Sequence, residues 1–222
     1  MSKNKKNINT IFIIILIVVI ITAVYYIKTN YFNLNSNLNF NLNSNKINIT
    51  IFAASRDNIN KEYFKKSEEL ISKLNEIKNK VNVVYGGSNG GLMREISKYK
   101  GNLISSNLKQ FVNPSMNDDY VFDNIYDRQQ KLVDLGDAYI ILPGGYGTHY
   151  ELLQVLTLND IGKNKKPIIF YNINHFFDKF INYFEDLSTK GFTDHNLKEL
   201  NSHFFDNSDE VIQYIKTLTS NL

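Results

Sequence analysis

With 222 residues, the chain is long enough for one domain of ordinary size and some additional sequence. It is 43% hydrophobic and 21% charged, and its net charge of +3 is too small to indicate nucleic acid as a partner. Because the chain has no cysteine, disulfides, thiolate metal sites and cysteine nucleophiles are excluded.

The first predicted element is an apolar segment near the N-terminus. Residues 1–10 form a basic tail, and residues 11–27 then run for 17 positions without a charge. This length is at the short end of what spans a bilayer as a helix. The sequence therefore predicts a single-pass membrane anchor, with the side of the membrane undetermined. A cleaved signal peptide is the alternative, although bulky Tyr25 and Tyr26 follow the apolar run in place of a small-residue cleavage site.

An asparagine-rich segment comes next. Residues 33–45 alternate asparagine with leucine, serine or phenylalanine. A period of two is also typical of a strand, but the low complexity and the poor strand propensity of asparagine favour a linker. We expect this linker to cover residues 28–46.

From residue 47 to residue 222, short β-branched runs alternate with segments of helical periodicity. Strands are predicted over residues 47–54, 81–85, 102–108, 138–142 and 167–171. Helices are predicted over residues 60–80, 90–99, 125–135, 151–161, 175–187 and 208–217. This alternation predicts βαβ units and hence an α/β fold, a Rossmann-like doubly wound parallel sheet. Ligands of such sheets bind at the carboxyl ends of the strands.

Glycine clusters follow two of these strands. The first lies in VVYGGSNGGLM, residues 83–93, and the second in ILPGGYGTHYE, residues 141–151. Glycine lets the backbone approach a ligand closely, and the following helix offers N–H groups to a phosphate. Neither cluster has the spacing of a Walker loop or of a dinucleotide fingerprint. A pair of βα turns without a ligand is the alternative interpretation. The glycines concerned are Gly86, Gly87, Gly91, Gly144, Gly145 and Gly147.

Several polar residues near these loops have two interpretations. Thr148 and Glu151 have the spacing of a capping box, or they contact a phosphate and a sugar, and spacing alone does not decide between these. Arg128 lies on the helix before residues 138–142, where an arginine is most often a solvated surface charge. His149 lies inside the second loop, which alone is little support for proton transfer. Since the histidines show no metal-ligand spacing, we predict neither a metal nor a cofactor.

Two motifs resemble those of the LOG (Lonely Guy) family. PGGYGTHYE, residues 143–151, matches the PGGxGTxxE signature of that family, and YGGSNGGLM, residues 85–93, is similar to its YGGGxxGLMG segment. The resemblance covers residues 47–222. It implies a homodimeric phosphoribohydrolase that cleaves the N-glycosidic bond of a nucleoside 5′-monophosphate. The products would be ribose 5-phosphate and a free base, with an N6-modified adenine of the cytokinin type as the candidate.

The resemblance also implies roles for particular residues. Arg128 lies nine residues before Asp137, which is the position of the family's catalytic arginine, and Glu151 takes the place of the catalytic glutamate. Glu151 would stabilise an oxocarbenium-like transition state, and Arg128 would neutralise charge near the phosphate or the departing base. The glycines named above and Thr148 would bind the phosphate and the nucleotide.

Some positions depart from the family pattern. Ser88 and Arg94 replace glycines, Gln129 replaces a lysine, Tyr126 stands at a frequent histidine and Gln154 at a frequent acid. These departures motivate the alternative of a membrane-tethered nucleotide-binding or sensing protein without turnover.

The lysine decarboxylase activity of the family's older label is a further alternative. It would need a lysine bound to pyridoxal phosphate, and the sequence identifies no such lysine.

Overall fold

The computed structural model describes residues 46–112 and 118–220, together with Ile20 and Thr22. Asn45–Leu222 forms one compact unit. The predicted basic tail, residues 28–45 of the predicted linker and most of the predicted anchor lie outside the described residues.

The described part of Asn45–Leu222 contains seven strands and six α-helices. The strands are β1 (Ile47–Phe52), β2 (Val81–Tyr85), β3 (Leu103–Leu108), β4 (Tyr120–Phe122), β5 (Ala138–Ile141), β6 (Ile168–Tyr171) and β7 (Ser202–Phe205). The helices are α1 (Lys61–Glu76), α2 (Gly91–Ile96), α3 (Ile125–Leu135), α4 (Tyr146–Asp160), α5 (Asp178–Thr189) and α6 (Ser208–Thr219). Short 3-10 helices cover Lys109–Phe111 and Ile173–His175.

The strands form one parallel sheet in the order β4-β3-β2-β1-β5-β6-β7. The chain winds outward from β1 to β4 and then returns to the other side of β1 with β5. The strand order therefore reverses between β1 and β5, and this switch point is where doubly wound sheets bind their ligands. The predicted α/β fold with a Rossmann-like parallel sheet is confirmed.

The centre of the sheet is buried on both faces. Every residue of β1, β2, β5 and β6 is buried, as expected for parallel strands covered by helices on both sides. Their apolar side chains form the core with those of α1, α2 and α6. The high content of β-branched and aromatic residues in these segments explains why the sequence predicts these four strands well.

Polar side chains on β1 fix helix α3 against the sheet. The hydroxyl of Thr50 donates to the carbonyl of Leu132 at 3.0 Å, and Asn48 Nδ2 donates to the carbonyl of Leu135 at 2.9 Å. Both side chains are buried, so the loss of either hydrogen bond would leave a polar group unpaired in the core. These bonds hold the C-terminal end of α3 at β1.

The structure contains two strands that the sequence patterns do not predict. Tyr120–Phe122 and Ser202–Phe205 are short, and they pair with the outer sides of β3 and β6. Helix α4 also begins at Tyr146, five residues before the predicted start at residue 151. Gly145 is its N-cap residue, so Thr148 lies inside the helix and the capping-box interpretation of Thr148 is wrong.

The predicted membrane anchor is also wrong. In the part of the chain that the structure describes, no helix combines the length and the apolar character needed to cross a membrane. Within residues 11–27, the described positions are Ile20 and Thr22, both helical.

Candidate active site

Arg128 and Glu151 form a buried ion pair at the carboxyl end of the sheet. Arg128 lies in the first turn of α3 and Glu151 in the second turn of α4. Arg128 Nη1 donates to Glu151 Oε1 at 2.6 Å, and the two side chains are only 12% and 5% exposed. The structure therefore brings together the two residues for which the resemblance implies catalytic roles.

Burial governs the electrostatics of Glu151. Desolvation raises the pKa of its carboxyl group above the ordinary value of 4.5, although the charge of Arg128 and its hydrogen bond act in the opposite direction. A carboxylate that is removed from water in this way interacts strongly with any positive charge that develops beside it.

The backbone just after β2 and on β3 holds the guanidinium of Arg128 in place. Its Nε donates to the carbonyl of Ser106 at 3.0 Å, and its Nη2 donates to the carbonyl of Gly86 at 3.4 Å. A Cβ atom at Gly86 would overlap Arg128 Nη2. Gly86 is thus required for the close approach of Arg128 to the first glycine loop.

The rest of the first loop is shaped by positive φ angles and by internal hydrogen bonds. Gly87 and Gly91 have φ angles of +75° and +55°, which favour glycine. The N–H of Gly91 already donates to Asp57 Oδ1 at 3.0 Å, and Arg94 also pairs with Asp57 Oδ1, at 2.8 Å. Because Asp57 occupies the start of α2, the structure does not place a free phosphate-binding N–H at Gly91.

The second loop differs in this respect. Among the described residues, no side chain caps the start of α4 at Gly145. A Cβ atom at Gly145 or Gly147 would have no heavy atom within 4 Å outside its own helix backbone and chain neighbours. Protein packing therefore does not explain why these two positions are glycines, whereas a ligand approaching the backbone would. Gly144 does have a packing role, because a Cβ atom there would overlap the buried Thr148 side chain.

Ala54, which follows β1, connects the two loops. Its N–H donates to the carbonyl of Pro143 at 3.2 Å, and its carbonyl accepts from the N–H of Met93 at 3.3 Å. The two glycine loops therefore lie on either side of the end of β1, at the switch point of the sheet.

His149 is engaged within its own helix. Its Nδ1 lies 2.9 Å from the carbonyl oxygen of Gly145, and its ring packs 5.7 Å from that of Phe180. These contacts give it a structural role at the start of α4. Within residues 46–112 and 118–220, no group of three or more His, Asp or Glu side chains is placed to hold a metal ion.

Several residues of this edge are not predicted from sequence patterns, including Asp57, Ser106, Asn107 and Asp118. The carboxylate of Asp57 accepts a hydrogen bond from the N–H of Gly91, and the carbonyl of Ser106 accepts one from Arg128. Asn107 donates to the carboxylate of Asp118 at 3.1 Å. Their position after β1, on β3 and before β4 was the available signal, since these segments border the carboxyl edge.

The fold and these two loops define the class: a parallel α/β protein with a buried ion pair and glycine-rich turns at its switch point. A family model described as "possible lysine decarboxylase" matches residues 79–215. The chain belongs to this family, the LOG family.

Curated relatives carry names that describe one activity. The chain is 28% identical over 153 residues to cytokinin riboside 5′-monophosphate phosphoribohydrolase LOG2 of Arabidopsis thaliana, covering 65% of this chain and 71% of the relative. It is 30% identical over 121 residues to the enzyme LOG of Oryza sativa subsp. japonica, covering 50% of each chain. The enzyme of that name from Rhodococcoides fascians is 28% identical over 125 residues, which is 52% of this chain and 63% of the relative.

Solved structures with the same fold include proteins described as carriers. The Moco carrier protein of Chlamydomonas rheinhardtii has a TM-score of 0.53 at 16% identity, with 79% of this chain and 98% of that chain covered. The molybdenum cofactor binding protein of Rippkaea orientalis also has a TM-score of 0.53, at 20% identity, with 78% and 97% covered. At these identities the likeness shows the fold alone.

Proposed function

We propose that the protein is a nucleoside 5′-monophosphate phosphoribohydrolase, with Arg128 and Glu151 as its catalytic residues. The observation that carries this proposal is their buried ion pair, which lies one helical turn beyond the uncapped glycine start of α4. The family membership and the names of the curated relatives support the same activity.

The start of α4 suits the phosphate of the substrate. The first N–H groups of a helix are not used inside the helix, and its dipole favours an anion at that end. Gly145 and Gly147 leave this end open, and the buried Thr148 brings a hydroxyl group to the same turn. In this arrangement Gly86, Gly87 and Gly91 shape the opposite wall of the nucleotide site, while Gly144 positions Thr148.

The ribose then lies one turn further along α4, next to Glu151. When the N-glycosidic bond breaks, its electron pair leaves with the base and positive charge develops on the ribose. The desolvated carboxylate of Glu151 stabilises this charge and orients the water whose oxygen bonds to C1′. Arg128 holds Glu151 in place and balances its charge. Since arginine is a poor proton donor, water supplies the proton that the departing base takes up.

The finer substrate assignment rests on the relatives. Their names specify cytokinin riboside 5′-monophosphates, and we propose N6-modified adenine nucleotides as the substrates here. No cofactor and no metal ion is needed for the steps described, since a carboxylate, an arginine and water supply them.

A homodimer is the proposed assembly. Helix α4 presents Tyr146, Tyr150 and Leu153 to solvent at 98%, 40% and 42% exposure. Their spacing places them on one face of the helix, next to the candidate phosphate site. A second copy of the chain would cover this face. Sedimentation of the purified protein should give a dimer, and Leu153→Asp should shift it to the monomer.

Base release tests the proposed activity. The full chain is incubated with AMP and N6-isopentenyl-AMP, and free base is measured beside Arg128→Ala and Glu151→Ala. Release that both substitutions abolish would support the phosphoribohydrolase. Nucleotide binding without release would favour the alternative of a nucleotide sensor. Release of CO₂ from lysine, together with the absorbance band of pyridoxal phosphate, would favour a decarboxylase instead.

A further inference from the structure

Asp118 carries a buried carboxylate oxygen that the proposed chemistry does not use. Its Oδ2 accepts a hydrogen bond from Asn107 Nδ2 at 3.1 Å. Its Oδ1 is buried and, among the described residues, has no hydrogen-bond partner. A buried polar atom without a partner costs free energy, so such an atom at a ligand site is a candidate for meeting a donor of the ligand.

The position of Oδ1 is set by the first glycine loop. A Cβ atom at Gly87 would lie 2.6 Å from Asp118 Oδ1 and 3.0 Å from Asn107 Cβ. The carboxylate thus packs directly over the glycine that follows Gly86. Asn107 also donates to the carbonyl of Gly87 at 3.4 Å, which fixes the position of its amide group and thereby of Asp118.

Arg128 and Asp118 contact neighbouring residues of the same two segments, one after β2 and one on β3. Arg128 contacts the carbonyls of Gly86 and Ser106, and Asp118 contacts the next residue in each segment, Gly87 and Asn107. The contacts therefore run from the start of α4 through Glu151 and Arg128 to Gly87 and then Asp118. In the proposed binding mode, with the phosphate at α4 and the ribose at Glu151, the base would extend along this line.

We propose that Asp118 Oδ1 accepts a hydrogen bond from the exocyclic amino group of the base, and so selects amino-bearing bases such as adenine. This inference rests on the proposed function, because it uses the placement of phosphate and ribose given there. An ionised carboxylate is an acceptor only, so it pairs with the N6 amino group and repels the O6 carbonyl of hypoxanthine. An N6-alkylated adenine keeps one N–H and still satisfies Asp118.

The test compares AMP with IMP, which differ at the position that Asp118 would contact. The full-length wild type should have a kcat/KM for AMP that is about tenfold or more above that for IMP, as expected for one buried hydrogen bond. Asp118→Ala should bring this ratio close to one, mainly through a loss on AMP. In Asp118→Asn, the amide oxygen should take the donor of Asn107 and turn an N–H donor toward the base, so the preference should shift to IMP.

A matched control removes a nearby carboxylate outside the site. Asp123→Asn changes the net charge by the same amount, and the Asp123 side chain is 85% exposed and paired with Lys109 at 3.4 Å. Its AMP-to-IMP ratio should equal that of the wild type. Asp118 variants that keep the wild-type ratio would overturn the proposal. A variant with damaged folding would lose both activities together and would not reverse the preference.

The failure of the proposed function gives a different result. If the folded wild type releases no base from either nucleotide, the hydrolase assignment fails, and the same variants are then compared by titration with AMP and IMP. A preference of Kd for AMP that Asp118→Asn reverses would support base selection by Asp118 without turnover. Equal Kd values in the wild type, or no binding of either nucleotide, would overturn it.

Discussion

Arg128 and Glu151, on helices α3 and α4, form a 2.6 Å ion pair, yet the pKa of Glu151 remains above its ordinary value. Burial outweighs the attraction of the arginine. The site thus holds a carboxylate whose ionised form is poorly solvated. Positive charge that develops nearby during a reaction relieves this cost, which is the general basis of electrostatic catalysis in a buried site.

Replacement of Glu151 by glutamine should remove most of the activity while it preserves the shape of the side chain. Without the negative charge, the oxocarbenium-like transition state loses its stabilisation, and kcat should fall by roughly 100- to 1,000-fold. KM should change little, since the proposed phosphate site at the start of α4 is unaltered. Steady-state base release measures both constants, and a kcat close to that of the wild type would contradict the catalytic role of Glu151.

The difference in stability between Glu151→Gln and the wild type should increase with pH. Because the pKa of Glu151 is raised in the folded state, folding favours the protonated form. The contribution of Glu151 to stability is therefore fully present below its ordinary pKa of 4.5 and is lost as pH rises through the folded pKa. Glutamine has no such loss. The free energy of unfolding of Glu151→Gln, relative to the wild type, should increase with pH by up to about 1.4 kcal/mol per pH unit in this window. Urea titrations at several pH values measure this difference, and a pH-independent difference would contradict the raised pKa.

Removal of Arg128 should destabilise the protein more when Glu151 is present than when it is absent. Arg128→Ala leaves an unpaired buried carboxylate, which typically costs about 3–5 kcal/mol at neutral pH. In the Glu151→Gln background this cost should be much smaller, and urea unfolding of the four proteins gives the coupling free energy. Arg94→Ala provides a surface control, because the Arg94–Asp57 pair is largely exposed and such pairs contribute about 1 kcal/mol or less. Equal costs of Arg128→Ala in both backgrounds would show that the pair is not coupled.

Replacement of Gly147 by alanine should weaken nucleotide binding without lowering the stability of the fold. A Cβ atom there meets nothing within 4 Å, and alanine favours a helix over glycine by about 0.5–1 kcal/mol. The variant should thus be at least as stable as the wild type, while its KM for the nucleotide rises by about tenfold because the methyl group obstructs the phosphate, a loss of roughly 1.4 kcal/mol. Gly162→Ala is the converse control. Its φ of +67° strains an alanine, so stability should fall and KM should stay constant.

Alanine at Gly86 should act through Arg128. Its methyl group would overlap Arg128 Nη2 and displace the guanidinium, whose end is flexible enough for the fold to survive. We expect kcat to fall by about as much as in Arg128→Ala, with a smaller change in the unfolding temperature, since Glu151 keeps a nearby cation. Gly101→Ala, which would press on the Tyr99 ring, should lower stability without a change in kcat. Full activity of Gly86→Ala would show that the position of Arg128 is not critical.

The sequence predicts the central strands well and the outer strands poorly, for a physical reason. Strands β1, β2, β5 and β6 are buried on both faces, so they are rich in β-branched and aromatic residues that local patterns reveal. The outer strands β4 and β7 have only three and four residues and are partly exposed. Their conformation is set by pairing with β3 and β6, and this information lies far away in the chain.

In the candidate site, too, local motifs are predictable from the sequence and contacts between distant residues are not. The two glycine loops and the positions of Arg128 and Glu151 follow from motifs, which are local. Helix α4 begins five residues before its predicted start, which local patterns do not reveal because Gly145 and Gly147 are poor helix formers and no side chain in the described residues caps this helix. The hydrogen bond from the N–H of Gly91 to Asp57 joins residues that are 34 positions apart. Asp118 packs over Gly87, which is 31 positions away. Such contacts cannot be read from spacing.

The contacts of Ala54 have a consequence for how the site forms. The peptide groups on its two sides hold the loop after β2 and the loop after β5, so segments around residues 54, 90 and 143 must all be in position together. No local hairpin or helical pair contains these parts, and such distant contacts form late when a chain folds. A chain interrupted before β5 has neither the second loop nor Glu151. The proposed nucleotide binding would therefore require the completed sheet, and it would serve as an assay that distinguishes fully folded molecules from compact intermediates.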